Sequence, residues 1–152
     1  MKSIVSKTVS KIVSTAAGLD TLPLRVGAGS IFVAHGAQKL FGWFGGYGLE
    51  GTAGWMASIG LEPGLLMAAM AGGAEFLGGL LLITGLLVRP AALVLAITMM
   101  VAIVTVHLSN GLFMADNGYE FGLALLAVSV ALVLRGAGSL SADRALQTQF
   151  AK

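Results

Sequence analysis

The sequence has no cysteine among its 152 residues. That excludes disulfides, thiolate metal ligands and thiol–disulfide exchange by this chain. Charge is also scarce. Only 11% of residues are Asp, Glu, Lys or Arg, against about 25% in a soluble domain. Two histidines and no thiols give little to hold a structural metal. Haem, flavin, dinucleotide and cluster-binding motifs are missing too, so any electrons must come from a partner. What the chain does have is apolar surface: 57% of residues are hydrophobic and the mean hydropathy is +0.91. Such a chain cannot coat a globule in water. Its length leaves no room for a soluble catalytic domain beside membrane spans. A lipid bilayer is the expected surrounding, and no nucleic-acid partner is expected.

A transmembrane helix needs about 20 mostly apolar residues. Four stretches qualify, over about 22–41, 64–87, 90–109 and 119–136. Arg89 and Pro90 separate the second and third, and Pro fits the first turn of a helix. The expected fold is therefore all-α: an antiparallel bundle of four transmembrane helices over 21–136. A cytoplasmic tail over 137–152 follows it. Residues 1–20 lack the unbroken apolar core of a signal peptide. Ile4, Val5, Val9, Ile12, Val13 and Ala16 instead recur at helical spacing. This predicts an amphipathic helix lying on the membrane surface.

Orientation follows from positive charge. With four spans, Lys2, Lys7, Lys11, Arg25, Arg89, Arg135, Arg144 and Lys152 share one side, and only Lys39 lies on the other. Three or five spans would scramble that sorting. Both termini are expected in the cytoplasm. The opposite side holds Phe41, Trp43, Phe44, Tyr47, Trp55, Phe113 and Tyr119, as in an interfacial aromatic belt. The glycine-rich connection 42–63 is long, and a short interfacial helix is expected near 51–58.

Helix association in lipid depends on close backbone packing. Ala68/Gly72 and Ala74/Gly78 place small residues four apart in the second span, and Gly118/Gly122 and Ala127/Ala131 repeat this near the fourth. They suit packing within the bundle or a homo-oligomer contact. A short internal repeat also emerges when His35 is aligned with His107. Leu40-Phe41 then matches Leu112-Phe113, Gly46-Tyr47 matches Gly118-Tyr119, and Gln38 pairs with Asn110.

Ionisable groups inside a span cost roughly 2.5–3.5 kcal/mol and point to function by default. At 1.5 Å per residue, Glu75 lies about 21 Å above Arg89, Lys39 about 21 Å above Arg25, and Glu120 about 22 Å above Arg135. Gln38 sits at nearly the same height. His35 and His107 lie within about a turn of it. Six polar residues from four spans thus share one layer in the outer half. Glu75 and His35 suit proton exchange near neutral pH. Gln38, Lys39, His107 and Glu120 suit hydrogen bonding to a small, mostly apolar ligand. The same layer could instead be structural glue that fixes helix register.

Three runs resemble the DoxX family. They are His35-Gly36-Ala37-Gln38-Lys39-Leu40-Phe41-Gly42, then Gly73-Ala74-Glu75-Phe76-Leu77-Gly78-Gly79 followed by Gly85-Leu86 and Arg89, then Val106-His107 through Gly111 to Gly118-Tyr119-Glu120. The resemblance covers roughly residues 20–140. It implies a four-span protein of the bacterial inner membrane. Relatives are described as membrane oxidoreductase components, some similar to a subunit of thiosulfate:quinone oxidoreductase, others tied to thiol or oxidative stress. The expectation is a subunit without a redox centre in a quinone-linked system, with a quinone as ligand and a redox partner subunit. A non-enzymatic anchor or assembly scaffold is the alternative, and a small transporter acting as an oligomer is a third.

Overall fold

A computed structural model describes residues 13–15 and 18–150. The expected helix over 1–20 lies mostly outside these residues, and 13–15 and 18–20 form turns and irregular backbone. Every regular element among the described residues is helical. Helix α1 spans Leu22–Phe41, with Pro23 in its first turn and left-handed Gly42 (φ +72°) at its end. The short helix α2, Gly48–Ser58, confirms a helix in the long connection. Helix α3 spans Gly64–Thr84 and stops at left-handed Gly85 (φ +70°), three residues before the expected end at 87. Helix α4 starts at Val88, two residues before the expected start, with Pro90 in its first turn, and runs to Ala102. The winding then loosens into a π-helical turn, Ile103–His107, and tightens into a 3-10 turn, Leu108–Asn110. Helix α5 spans Glu120–Arg135, and α6 spans Ala142–Phe150.

Two stretches, Gly64–Thr84 and Val88–Asn110, are long and apolar enough to cross a membrane. Helix α1 carries Arg25, His35, Gln38 and Lys39, and α5 has 16 residues, so neither meets that measure.

The main contacts join α1 to α3 and α4 to α5, while α2 lies on α3 and α1, and α3 on α4. The α1–α3 seam is built from small residues. A Cβ on Gly79 would fall 2.6 Å from the Gly29 carbonyl oxygen, and one on Gly36 would collide with the Phe76 backbone. Such approach replaces the missing hydrophobic drive with van der Waals contact. Gly78 seats Leu95 of α4. Phe32, Leu82, Val88, Ala92, Leu95 and Leu132 fill the core between these helices. Leu65, Leu77, Leu93, Ile97, Val104, Leu123, Val130 and Leu134 point outward.

Helix ends meet in a consistent way. Arg25, at the start of α1, donates to Leu82 O and Ile83 O at the end of α3 (3.2 and 3.1 Å). Arg89, at the start of α4, donates to Val133 O at the end of α5 (2.5 Å). The four long helices therefore alternate in direction. The chain beyond α5 is no loose tail. Arg25 also donates to Ala137 O (2.8 Å) and Leu140 O, and Thr21 donates to Ala137 O (2.9 Å). Asp143 accepts from the N–H groups of Leu87 (2.7 Å) and Val88 (3.0 Å), capping the start of α4.

The internal repeat has a structural counterpart at the other end. A 3-10 turn, Trp43–Gly45, precedes α2, and another, Met114–Asp116, precedes α5. Left-handed Gly45 (φ +77°) matches left-handed Asn117 (φ +61°). Tyr47 (φ −87°, ψ −8°) and Tyr119 (φ −90°, ψ −3°) then lead into the next helix with the same backbone. The two corners match at these positions, and differ at Phe44, which is left-handed (φ +54°) where Asp116 is not.

Candidate functional site

Lys39 sits in the last turn of α1 and Glu75 at the middle of α3. The glycine seam brings them together: Gly72 packs directly against Leu40 and the Lys39 Cβ. Lys39 Nζ donates to Glu75 Oε2 at 2.7 Å. The Glu75 side chain is 5% exposed and that of Lys39 is 25% exposed. The carboxylate is thus held inside, while the ammonium reaches an edge. A buried carboxylate needs such a partner, because desolvation alone would cost several kcal/mol. Thr52 of α2 is buried and donates to the Lys39 carbonyl (3.3 Å), fastening α2 to the same turn.

The other four expected residues are placed differently. His35 is on the exposed side of α1, its ring tilted against Phe121 of α5 at 6.1 Å. It interacts with Gln38 and feels the charge of Lys39. The Gln38 amide donates to Phe44 O in the first corner (3.3 Å). His107 Nδ1 lies 2.8 Å from Asn117 O in the second corner. Glu120 Oε1 accepts from Met114 N (2.6 Å) in that corner. So the structure joins Lys39 to Glu75, keeps His35 and Gln38 within a turn of Lys39, and gives His107 and Glu120 local backbone partners.

Sequence reasoning passed over Arg25 and Asp143, each 1% exposed. Both were visible only as charges, and Arg25 served to orient the spans. Its position in the first turn of α1, facing the end of α3, was the available signal. Burial pushes the Asp143 carboxyl above its ordinary 3.8, although the Val88 and Leu87 N–H groups and the Arg25 and Arg89 charges pull the other way. Asp20 pairs with Arg135, and this hydrogen bond holds its carboxyl below 3.8. Among the described residues no three His, Asp or Glu cluster as a metal site.

The arrangement offers one donor-rich, partly open ammonium beside a buried proton acceptor. That combination suits a ligand with a carbonyl oxygen.

The DoxX family profile matches residues 21–108. This chain is 38% identical over 125 residues to a Bacillus subtilis protein named "Putative oxidoreductase CatD", covering 82% of this chain and 85% of that one. Two Haemophilus influenzae proteins, each described as an "Uncharacterized protein", are also similar. One is 32% identical over 127 residues, covering 79% of this chain and 85% of its own. The other is 36% identical over 78 residues, about half of each chain (51% and 52%). No solved structure matches. By its family and its two long apolar helices this is a membrane protein, and the chain belongs to the DoxX family.

Proposed function

We propose that this protein is a four-span subunit of a quinone-linked oxidoreductase system in the bacterial inner membrane, with both termini in the cytoplasm. Its ligand is a quinone or a similar small apolar carbonyl compound. The Lys39–Glu75 pair, with its buried carboxylate and partly open ammonium, carries the proposal. Lys39 Nζ has three N–H donors and Glu75 occupies one of them. A remaining donor is free for a ligand carbonyl. Glu75 and His35 exchange protons with the bound ligand. A partner subunit supplies the electrons, since this chain has no motif for a redox centre.

The outward apolar side chains of α1, α3, α4 and α5 support four crossings, because Leu24 and Val26 of α1 and Leu123 and Leu134 of α5 are exposed like those of α3 and α4. Arg25, Arg89 and Arg135 gather at one end. Exposed Phe41, Trp43, Phe44, Tyr47 and Phe113 lie at the corners between the helices' other ends. That polarity fits the cytoplasmic face and the outer aromatic belt. The relative named as an oxidoreductase supports the redox setting.

A quinone-binding titration on the purified protein tests this. Binding by the wild type, weakened about tenfold or more by Glu75→Gln, is expected. No binding to either protein would reject the reading.

One observation favours a scaffold instead: Gln38, His107 and Glu120 all bond to backbone groups of their own corners, as structural glue would. On that view Glu75→Gln lowers thermal stability and leaves the cells' redox phenotype intact.

A further inference from the structure

His107 closes the π-helical turn Ile103–His107. A π turn adds a residue to the helical circuit, so it re-aims every side chain that follows, and such turns are frequent at functional sites. Here it aims the ring at the second corner, with Nδ1 2.8 Å from Asn117 O. A carbonyl oxygen only accepts, so the proton of that bond must sit on Nδ1. The carbonyl itself is fixed by a left-handed residue, Asn117, and by a second donor, the Asn110 amide (3.3 Å). Of the two carboxylates of this corner, Asp116 and Glu120, the latter accepts from Met114 N.

The consequence concerns the other nitrogen. A neutral imidazole with its proton on Nδ1 has a bare lone pair on Nε2. Nε2 takes no hydrogen bond among the described residues. His107 is half-buried, and its corner exposes Leu108, Leu112, Phe113 and Met114. An unpaired acceptor on a corner that also exposes apolar side chains can be met by the hydroxyl of a small, mostly apolar molecule. It cannot serve a carbonyl, which has no proton to give.

We infer that His107 is locked as the Nδ1–H tautomer and presents Nε2 as a hydrogen-bond acceptor for a phenolic hydroxyl, which makes its site selective for the reduced, hydroquinone form of the ligand. This rests on the quinone reading above for the ligand's class, while the tautomer does not. It also reverses the role that spacing alone suggests for His107, that of a donor to a carbonyl. Lys39 is the carbonyl donor, and His107 is the hydroxyl acceptor.

Two measurements on the full chain in detergent or nanodiscs test it. Nitrogen-15 NMR of labelled histidine, assigned with His107→Asn, reads the tautomer, and a protonated Nδ1 is expected at pH 8. A protonated Nε2 would overturn the inference. The second measurement is titration with a short-chain quinone and with its hydroquinone. In His107→Asn the amide nitrogen takes the place of Nδ1 and keeps the bond to Asn117 O, while the Nε2 acceptor is lost. Hydroquinone affinity should fall about tenfold more than quinone affinity, with the bond to Asn117 O and hence the melting temperature kept. Equal loss of both forms, or of neither, would overturn the inference while leaving the Glu75-dependent quinone reading in place. If the wild type binds neither form, both fall.

Discussion

At the scale of single residues, the Lys39–Glu75 pair decides most. Removing one partner of a buried pair leaves the other charge desolvated, which costs about 3–5 kcal/mol, whereas replacing both by apolar groups is close to neutral. Lys39→Met should therefore lower the melting temperature in detergent far more than the double variant Lys39→Met/Glu75→Leu. Equal losses would mean that the pair is not coupled. The contact between Asp20 and Arg135 gives a pH prediction. The Asp20 carboxyl is held below 3.8 by the Arg135 hydrogen bond, so its folded pKa lies under the unfolded one. Its stabilisation is present above pH 3.8 and disappears as pH falls through the lowered value. Asp20→Asn should thus destabilise slightly at pH 7, and the difference from wild type should vanish in acid. The effect should also shrink in salt, since both groups are exposed. A difference that grew in acid would contradict this sign.

Heights counted from Arg25 and Arg89 brought Lys39 and Glu75 to one level, and the structure makes them partners. The count could not separate His107 and Glu120 from that pair, because height says nothing about direction around a helix axis. Their side chains turn to loop carbonyl and N–H groups whose positions depend on a π turn and on left-handed Asn117. Neither feature has a clear mark in the sequence. Arg25 shows the same limit: its charge was legible, and its burial among four carbonyls was not.

At the scale of elements, the α1–α3 seam positions the pair. Gly36→Ala would force a methyl into the Phe76 backbone. Overpacking of this kind costs about 1–3 kcal/mol, and it must also push Lys39 away from Glu75. Gly73 is the control, because a Cβ there meets nothing within 4 Å. Gly73→Ala should be neutral or stabilising by up to about 1 kcal/mol through helix propensity. Melting temperatures and ligand affinity of the two variants, measured side by side, check this. The sequence pointed to Gly72 and Gly78 by their spacing, and both are buried against neighbouring helices. Spacing did not point to Gly29 and Gly36, which form the other half of the seam, since neither has a small residue four positions away.

At the scale of the whole molecule, the end that holds Arg25 and Arg89 is tied shut by chain that a sequence reading treats as a tail. Residues 137–143 supply two carbonyls to Arg25 and a carboxylate to the start of α4. Truncation after Gly136 should therefore abolish stable expression of the purified protein. Truncation after Arg144 should be tolerated better. Four alternating helices and the one-sided arginines also predict that reporters fused to either terminus are active in the cytoplasm, while one inserted at Gly45 is active outside. Opposite signals from the two termini would rule out an even number of crossings.

The central claim is that a quinone-type ligand sits at the Lys39–Glu75 pair. The most direct measurement is photolabelling with an azidoquinone in native lipid, followed by peptide mapping. Labels are expected on the segments around Lys39 and Glu75, suppressed by unlabelled quinone and by Glu75→Gln. Labels spread over the outward faces of α3 and α4, and unchanged by that substitution, would contradict it.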